Sequence, residues 1–180
     1  MKPSAPALSR LSGAIDAVSE WTGQTVAWLT LFMVLITFLI VVLRYGFNIG
    51  AIRLQESVVY MHAAVFMLGA GFVLKRDAHV RVDIFYRRLS PRGQAWVDLL
   101  GILLLLLPWM IFMMWISWDY VASAWSLKEG SRETGGLPYL YLLKTLIVLM
   151  PLLVAVQALS KACQAVLALT GQKPPGGASS

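Results

Sequence analysis

Residues 26–43 read VAWLTLFMVLITFLIVVL, without a single charged side chain. A helix rising 1.5 Å per residue needs about 20 apolar residues to cross a hydrocarbon core of about 30 Å. This run and its flanks meet that length. Three further stretches pass the same test: SVVYMHAAVFMLGAGFVL at 57–74, LLGILLLLLPWMIFMMWISW at 99–118 and YLYLLKTLIVLMPLLVAVQAL at 139–159. Pro108 and Pro151 lie inside the last two. Helices in lipid tolerate proline where neighbours satisfy the freed carbonyl, so both predict kinks and not helix ends. The whole composition agrees, with 58% hydrophobic and 13% charged residues among 180, against roughly 25% charged in a soluble domain. The fold class is an all-α polytopic membrane protein, with four spans at about 23–43, 56–74, 92–120 and 138–160.

The charges set the expected orientation. Lys75, Arg76, Arg81, Arg87, Arg88 and Arg92 lie between spans two and three, Lys2 and Arg10 precede span one, and Lys161 and Lys173 follow span four. The opposite side holds Arg44, Arg53, Lys128, Arg132 and Lys144. The richer side belongs in the cytoplasm, which predicts both termini inside. The net charge of +6 is therefore a topology signal, and no nucleic-acid partner is expected. A single cysteine, Cys163, excludes an internal disulfide and a thiol oxidoreductase that works through cysteine pairs.

The first span is too long for a cleaved signal peptide and no small-residue cleavage site accompanies it. Before it, residues 1–22 form an arm in which Leu8, Leu11, Ile15 and Val18 share one helical face, with Arg10, Asp16 and Glu20 off it. That pattern suits an amphipathic helix lying on the membrane surface; a plain extension of the first span is the other reading. Residues 163–180 are a short cytoplasmic tail whose end, GQKPPGGASS, has a disordered composition.

Ionisable groups within spans are functional candidates, and few stand out here. Glu56 opens span two, His62 lies deeper in it, Lys144 sits just inside span four, and Asp98 and Asp119 bracket span three. Lys144 is placed to snorkel or to pair with Glu129 or Glu133. Haem ligation by His62 lacks a second histidine on a facing span, and a hydrogen bond across a helix interface suits it better. Glu56, at the helix mouth, is expected to pair with Arg53 or with another chain. Ala63, Met67 and Ala70 share its face, flanked by Gly69 and Gly71, and small residues let helix backbones approach in lipid.

Between spans two and three, LKRDAHVRVDIFYRRL at 74–89 carries Asp77, His79 and Asp83. The neighbouring arginines oppose a dication there, so no metal is expected. The segment reads instead as an interfacial connector, with Asp83 able to cap a short helix, and with Lys75, Arg76, Arg81, Arg87, Arg88 and Arg92 meeting lipid headgroups. Ser90 as N-cap and Pro91 at the first helical position then start span three.

Residues 54–91, with Glu56, GAG at 69–71, Lys75, Arg76 and HVRVD at 79–83, resemble the small membrane subunit of tripartite ATP-independent periplasmic (TRAP) transporters. A second block, EGSRETGGLPYLYLLKTLIVLMP at 129–151, is similar to that family's approach to its last span. The resemblance covers roughly 20–165 and implies no enzyme and no cofactor. It implies an accessory subunit of an ion-gradient-driven uptake system for small organic anions. That subunit would scaffold a large permease subunit and help dock a periplasmic substrate-binding protein. Candidates for the large-subunit interface, or for fixing loops, are Glu56, His62, Ala63, Gly69, Ala70, Gly71, His79, Asp83 and Lys144. Candidates for docking the binding protein are Arg44, Arg53, Lys128, Glu129, Arg132 and Glu133. The competing function is a small self-assembling proton-coupled exporter that uses Glu56.

Overall fold

The computed structural model describes residues 5–78 and 86–171. Its elements, in chain order, are α1 (Ala5–Gly46), α2 (Ile52–Lys75), α3 (Pro91–Gly101), a π-helical stretch (Ile102–Leu106), α4 (Leu107–Ser126) and α5 (Leu140–Leu169). α3, the π stretch and α4 follow without a break, so the described residues hold four helical rods, each long and apolar enough to cross a membrane. His79, Arg81 and Asp83, with the cap assigned to Asp83, lie outside the described residues.

Span three starts as its sequence dictates. The Ser90 hydroxyl accepts from the Gly93 N–H at 3.2 Å, and Pro91 occupies the first helical turn, where its missing N–H costs nothing. Neither internal proline ends its helix. Pro108 cannot donate to the carbonyl four residues back. The π-helical stretch sits immediately before it, where the Leu107 N–H donates to Ile102. Pro151 is fully buried in the middle of α5.

α5 is the hub: α1, α2, α3 and α4 all pack on it, and α1 also packs along α2. Burial is concentrated in its second half, from Pro151 to Leu167. Leu99 of α3 meets Ala162 and Ala165 there, and Met110 of α4 meets Val154 and Ala155 with Ala70 and Leu74 of α2 alongside. Close approach depends on two glycines. A Cβ on Gly71 would stand 3.3 Å from the Leu153 carbonyl oxygen, and one on Gly23 would stand 2.4 Å from the Phe72 ring. Ala70 and Gly71 are thus packed within this chain.

The N-terminal arm is continuous with the first span: α1 runs 42 residues without interruption. Residues 8–22 therefore extend that span and do not fold as a separate element. The inward stripe of this helix is Ser12, Asp16, Ser19, Gly23 and Val26, while Leu11 and Val18 are exposed.

Candidate functional site

Polar side chains gather at two ends of the bundle. At the end bearing the start of α1 and the finish of α5, three helices are tied in pairs. α1 holds α2 through Glu20, whose two oxygens take Lys75 at 2.7 Å and Arg76 at 2.6 Å. The residue just past α2, Asp77, holds α5 through Lys161 at 2.5 Å. Asp77 adopts φ +51°, a left-handed conformation that aspartate tolerates better than most residues. It stops the helix and presents its carboxylate to α5.

The third tie is a buried seam. Gln157 Nε2 and Ser160 Oγ donate to one oxygen of Asp16 at 2.8 and 2.7 Å, and Gln164 Nε2 donates to the other at 3.0 Å. The Ser19 hydroxyl donates to Gln157 Oε1 at 2.5 Å, and Ser160 also reaches the Ser12 carbonyl at 3.3 Å. Ser12, Gln157 and Ser160 are 0% exposed. A carboxylate accepting three donors leaves no polar group of the seam wanting, which is what burial requires. Sequence reading placed Asp16 on the outer, polar face of the arm and missed this seam. The signal was present as two registers of matching period: Ser12, Asp16, Ser19 and Gly23 on α1, and Gln157, Ser160 and Gln164 on α5.

At the other end the polar groups hold a loop. The Ser131 hydroxyl donates to one oxygen of Glu56, and the Leu137 N–H donates to the other at 2.5 Å. Within this chain, Ser131 and Leu137 stand where Arg53 was expected. Arg53 instead donates to the Gly135 carbonyl at 3.1 Å. Lys144, with its side chain 12% exposed, pairs with Glu129 and lies 4.0 Å from the centre of the Tyr120 ring. The Ser131 N–H donates to Leu137 at 2.9 Å, and the Tyr141 N–H to Glu129 at 3.2 Å. Lys128, at φ +47°, sits over Trp125 and Tyr141. The segment 127–139 is thereby folded onto α2 by Arg53 and Glu56, which are distant from it in sequence and gave no signal, and onto α5 by the Glu129–Lys144 pair that the sequence did suggest.

The remaining candidates divide by exposure. His62 is exposed on α2, its ring 5.9 Å from Phe66, which is 75% exposed. Gly69 has open space where a Cβ would stand, whereas Ala63 lines a groove beside Lys144. Arg44, Arg132, Glu133, Arg87, Arg88 and Arg92 are exposed. Lys75 and Arg76 are engaged by Glu20. Among the described residues no group of three or more His, Cys, Asp or Glu is placed to hold a metal ion.

The family model for tripartite ATP-independent periplasmic transporters, DctQ component, matches residues 33–168. The C4-dicarboxylate TRAP transporter small permease protein DctQ of Vibrio cholerae is 30% identical over 112 residues, covering 62% of this chain and 47% of that protein. A Haemophilus influenzae protein, named for the small permease of a TRAP transporter, is 40% identical over 63 residues, covering 35% of this chain and 39% of its own. The chain thus spans less than half the length of these relatives. No solved structure matches it.

Proposed function

Because the chain belongs to the DctQ component family of tripartite ATP-independent periplasmic transporters, as a multi-pass protein of the bacterial inner membrane, we propose that it is the scaffold on which a large permease subunit rests. One observation carries this reading. The carboxylates and ammonium groups that tie the two ends, at Asp16, Glu20, Glu56, Asp77, Lys144 and Lys161, have partners inside the chain. Groups so engaged hold helices and a loop in place, and they offer little to a passing ion or substrate. The same engagement weighs against an exporter working through Glu56, since both of its oxygens are occupied.

The face of α2 that carries Val59, His62, Phe66 and Gly69 is the side we assign to the large subunit. Val59, His62 and Phe66 are exposed, Gly69 has room beside it, and all four fall at helical spacing. In lipid, such a mixture of small and large residues supports close helix contact. The chain termini lie in the cytoplasm in this scheme, by the excess of basic residues there. The braced loop 127–139 then faces the periplasm, with Lys128 and Glu133 exposed on it to dock a substrate-binding protein that captures small organic anions.

Co-expression with the large permease tests the scaffold. The pair should purify together, and Gly69→Trp should sharply reduce recovery of the large subunit while this chain still inserts. Transport by this chain reconstituted alone would overturn the scheme. Reporters fused at Ser90 and at Gly135 should read cytoplasmic and periplasmic; the reverse pattern would invert the orientation.

A further inference from the structure

A groove of about 420 Å³ opens between α2, α4 and α5 beside Lys144. We infer that it seats one phospholipid with an anionic headgroup. Its mouth and its floor differ in chemistry. At the mouth stand two cations, Lys144 and Arg132, and one carboxylate, Glu129. Glu129 pairs with Lys144, which leaves a net positive charge with Arg132 exposed beside it. The floor is apolar, formed by Ala63 and Met67 of α2 and by Leu143 and Ile147 of α5.

A second observation fixes the depth of that mouth. Tyr120 lies 4.0 Å under the Lys144 ammonium, the Trp125 indole donates to Thr145 at 2.8 Å, and Trp125, Tyr139 and Tyr141 stack edge to face at this level. Tryptophan and tyrosine collect where headgroups meet hydrocarbon. The cations therefore sit at phosphate depth, and the floor descends from them toward the middle of the bilayer. A partner helix would meet this polar-to-apolar step over only a turn or two of its length. A phospholipid has the same step in the same place, with its phosphate on Arg132 and Lys144 and an acyl chain along Met67 and Ile147. This assignment is independent of the scaffold reading, because the groove belongs to this chain alone.

The test is lipid retention by the full chain. The protein is purified from nanodiscs of equal parts phosphatidylglycerol and phosphatidylcholine, and the lipid that stays bound is read by native mass spectrometry. Phosphatidylglycerol should be retained over phosphatidylcholine. Arg132→Gln should lower that retention about fivefold, the effect of one basic group at an anionic surface, and Arg44→Gln, at the same end but outside the groove, should not. Ala63→Phe should remove both lipids by filling the floor. Equal retention of the two lipids, or no response to Arg132→Gln, would overturn the assignment. So would an Ala63→Phe protein that keeps its lipid and loses only the large permease, which would make the groove a seat for a helix. If Ala63→Phe does not insert, the exposed Arg132 position still decides the matter.

Discussion

The two ends of this bundle use similar side chains for different ends. Where the chain begins and finishes, Asp16, Glu20, Asp77 and Lys161 join helix to helix, and α1, α2 and α5 are linked in all three pairs. At the far end Glu56, Arg53 and Lys144 join helices to a loop. There the outer half of α1 stays open, with Phe32, Leu35 and Phe38 exposed. The hydrophobic effect does not drive helices together in lipid, because the tails are as apolar as leucine. Helix pairing must then come from close packing and hydrogen bonds; α1 has both along its first half, whereas at the far end the helix-to-helix bond, Trp125 to Thr145, joins α4 to α5 and leaves α1 out.

That contrast can be broken by substitution. Gly23→Val should have the largest effect. A side chain there meets Phe72, and overpacking of a tight contact costs about 1–3 kcal/mol. Unfolding in mixed micelles should show the loss, and unchanged stability would mean that α1 and α2 do not approach as described. Asp16→Leu comes next, removing the acceptor of three hydrogen bonds. At about 0.6 kcal/mol for each bond in a membrane protein, the loss is about 2 kcal/mol, and Asp16→Asn, which keeps one acceptor, should lose less. A cysteine pair reporting on the separation of α1 and α5 should show widening in Asp16→Leu and none in Glu56→Gln.

Glu56→Gln belongs to the other end and should act on the loop. Trypsin should cut at Lys128 and Arg132 several times faster, while resistance to unfolding changes little. A global loss of stability in this variant would erase the distinction between the ends. The smallest effect is expected from Glu20→Gln, since Arg76 is half exposed and such pairs contribute little each. Its loss should shrink further in high salt.

The spans were legible because length and apolar content are properties of contiguous sequence. Ser90 and Pro91 announced the start of α3 for the same local reason, and the prolines at 108 and 151 were readable as interior residues. The arm was read by the rule for a surface helix, which looks for an apolar stripe. In this bundle the stripe that packs is polar and small, Ser12 to Gly23, and its meaning appears only beside Gln157, Ser160 and Gln164, some 140 residues on. Glu56 posed the same difficulty, because its partners Ser131 and Leu137 lie two helical rods further along the chain.

The unbroken length of α1 has a mechanical consequence. At 1.5 Å per residue its 42 residues extend about 63 Å, roughly twice the hydrocarbon thickness. A rod of that length behaves as a lever. The seam at Asp16 joins the first half of that rod to α5. A helix longer than the bilayer accommodates the mismatch by tilting, and a tilt of α1 would be felt by α5 through this seam.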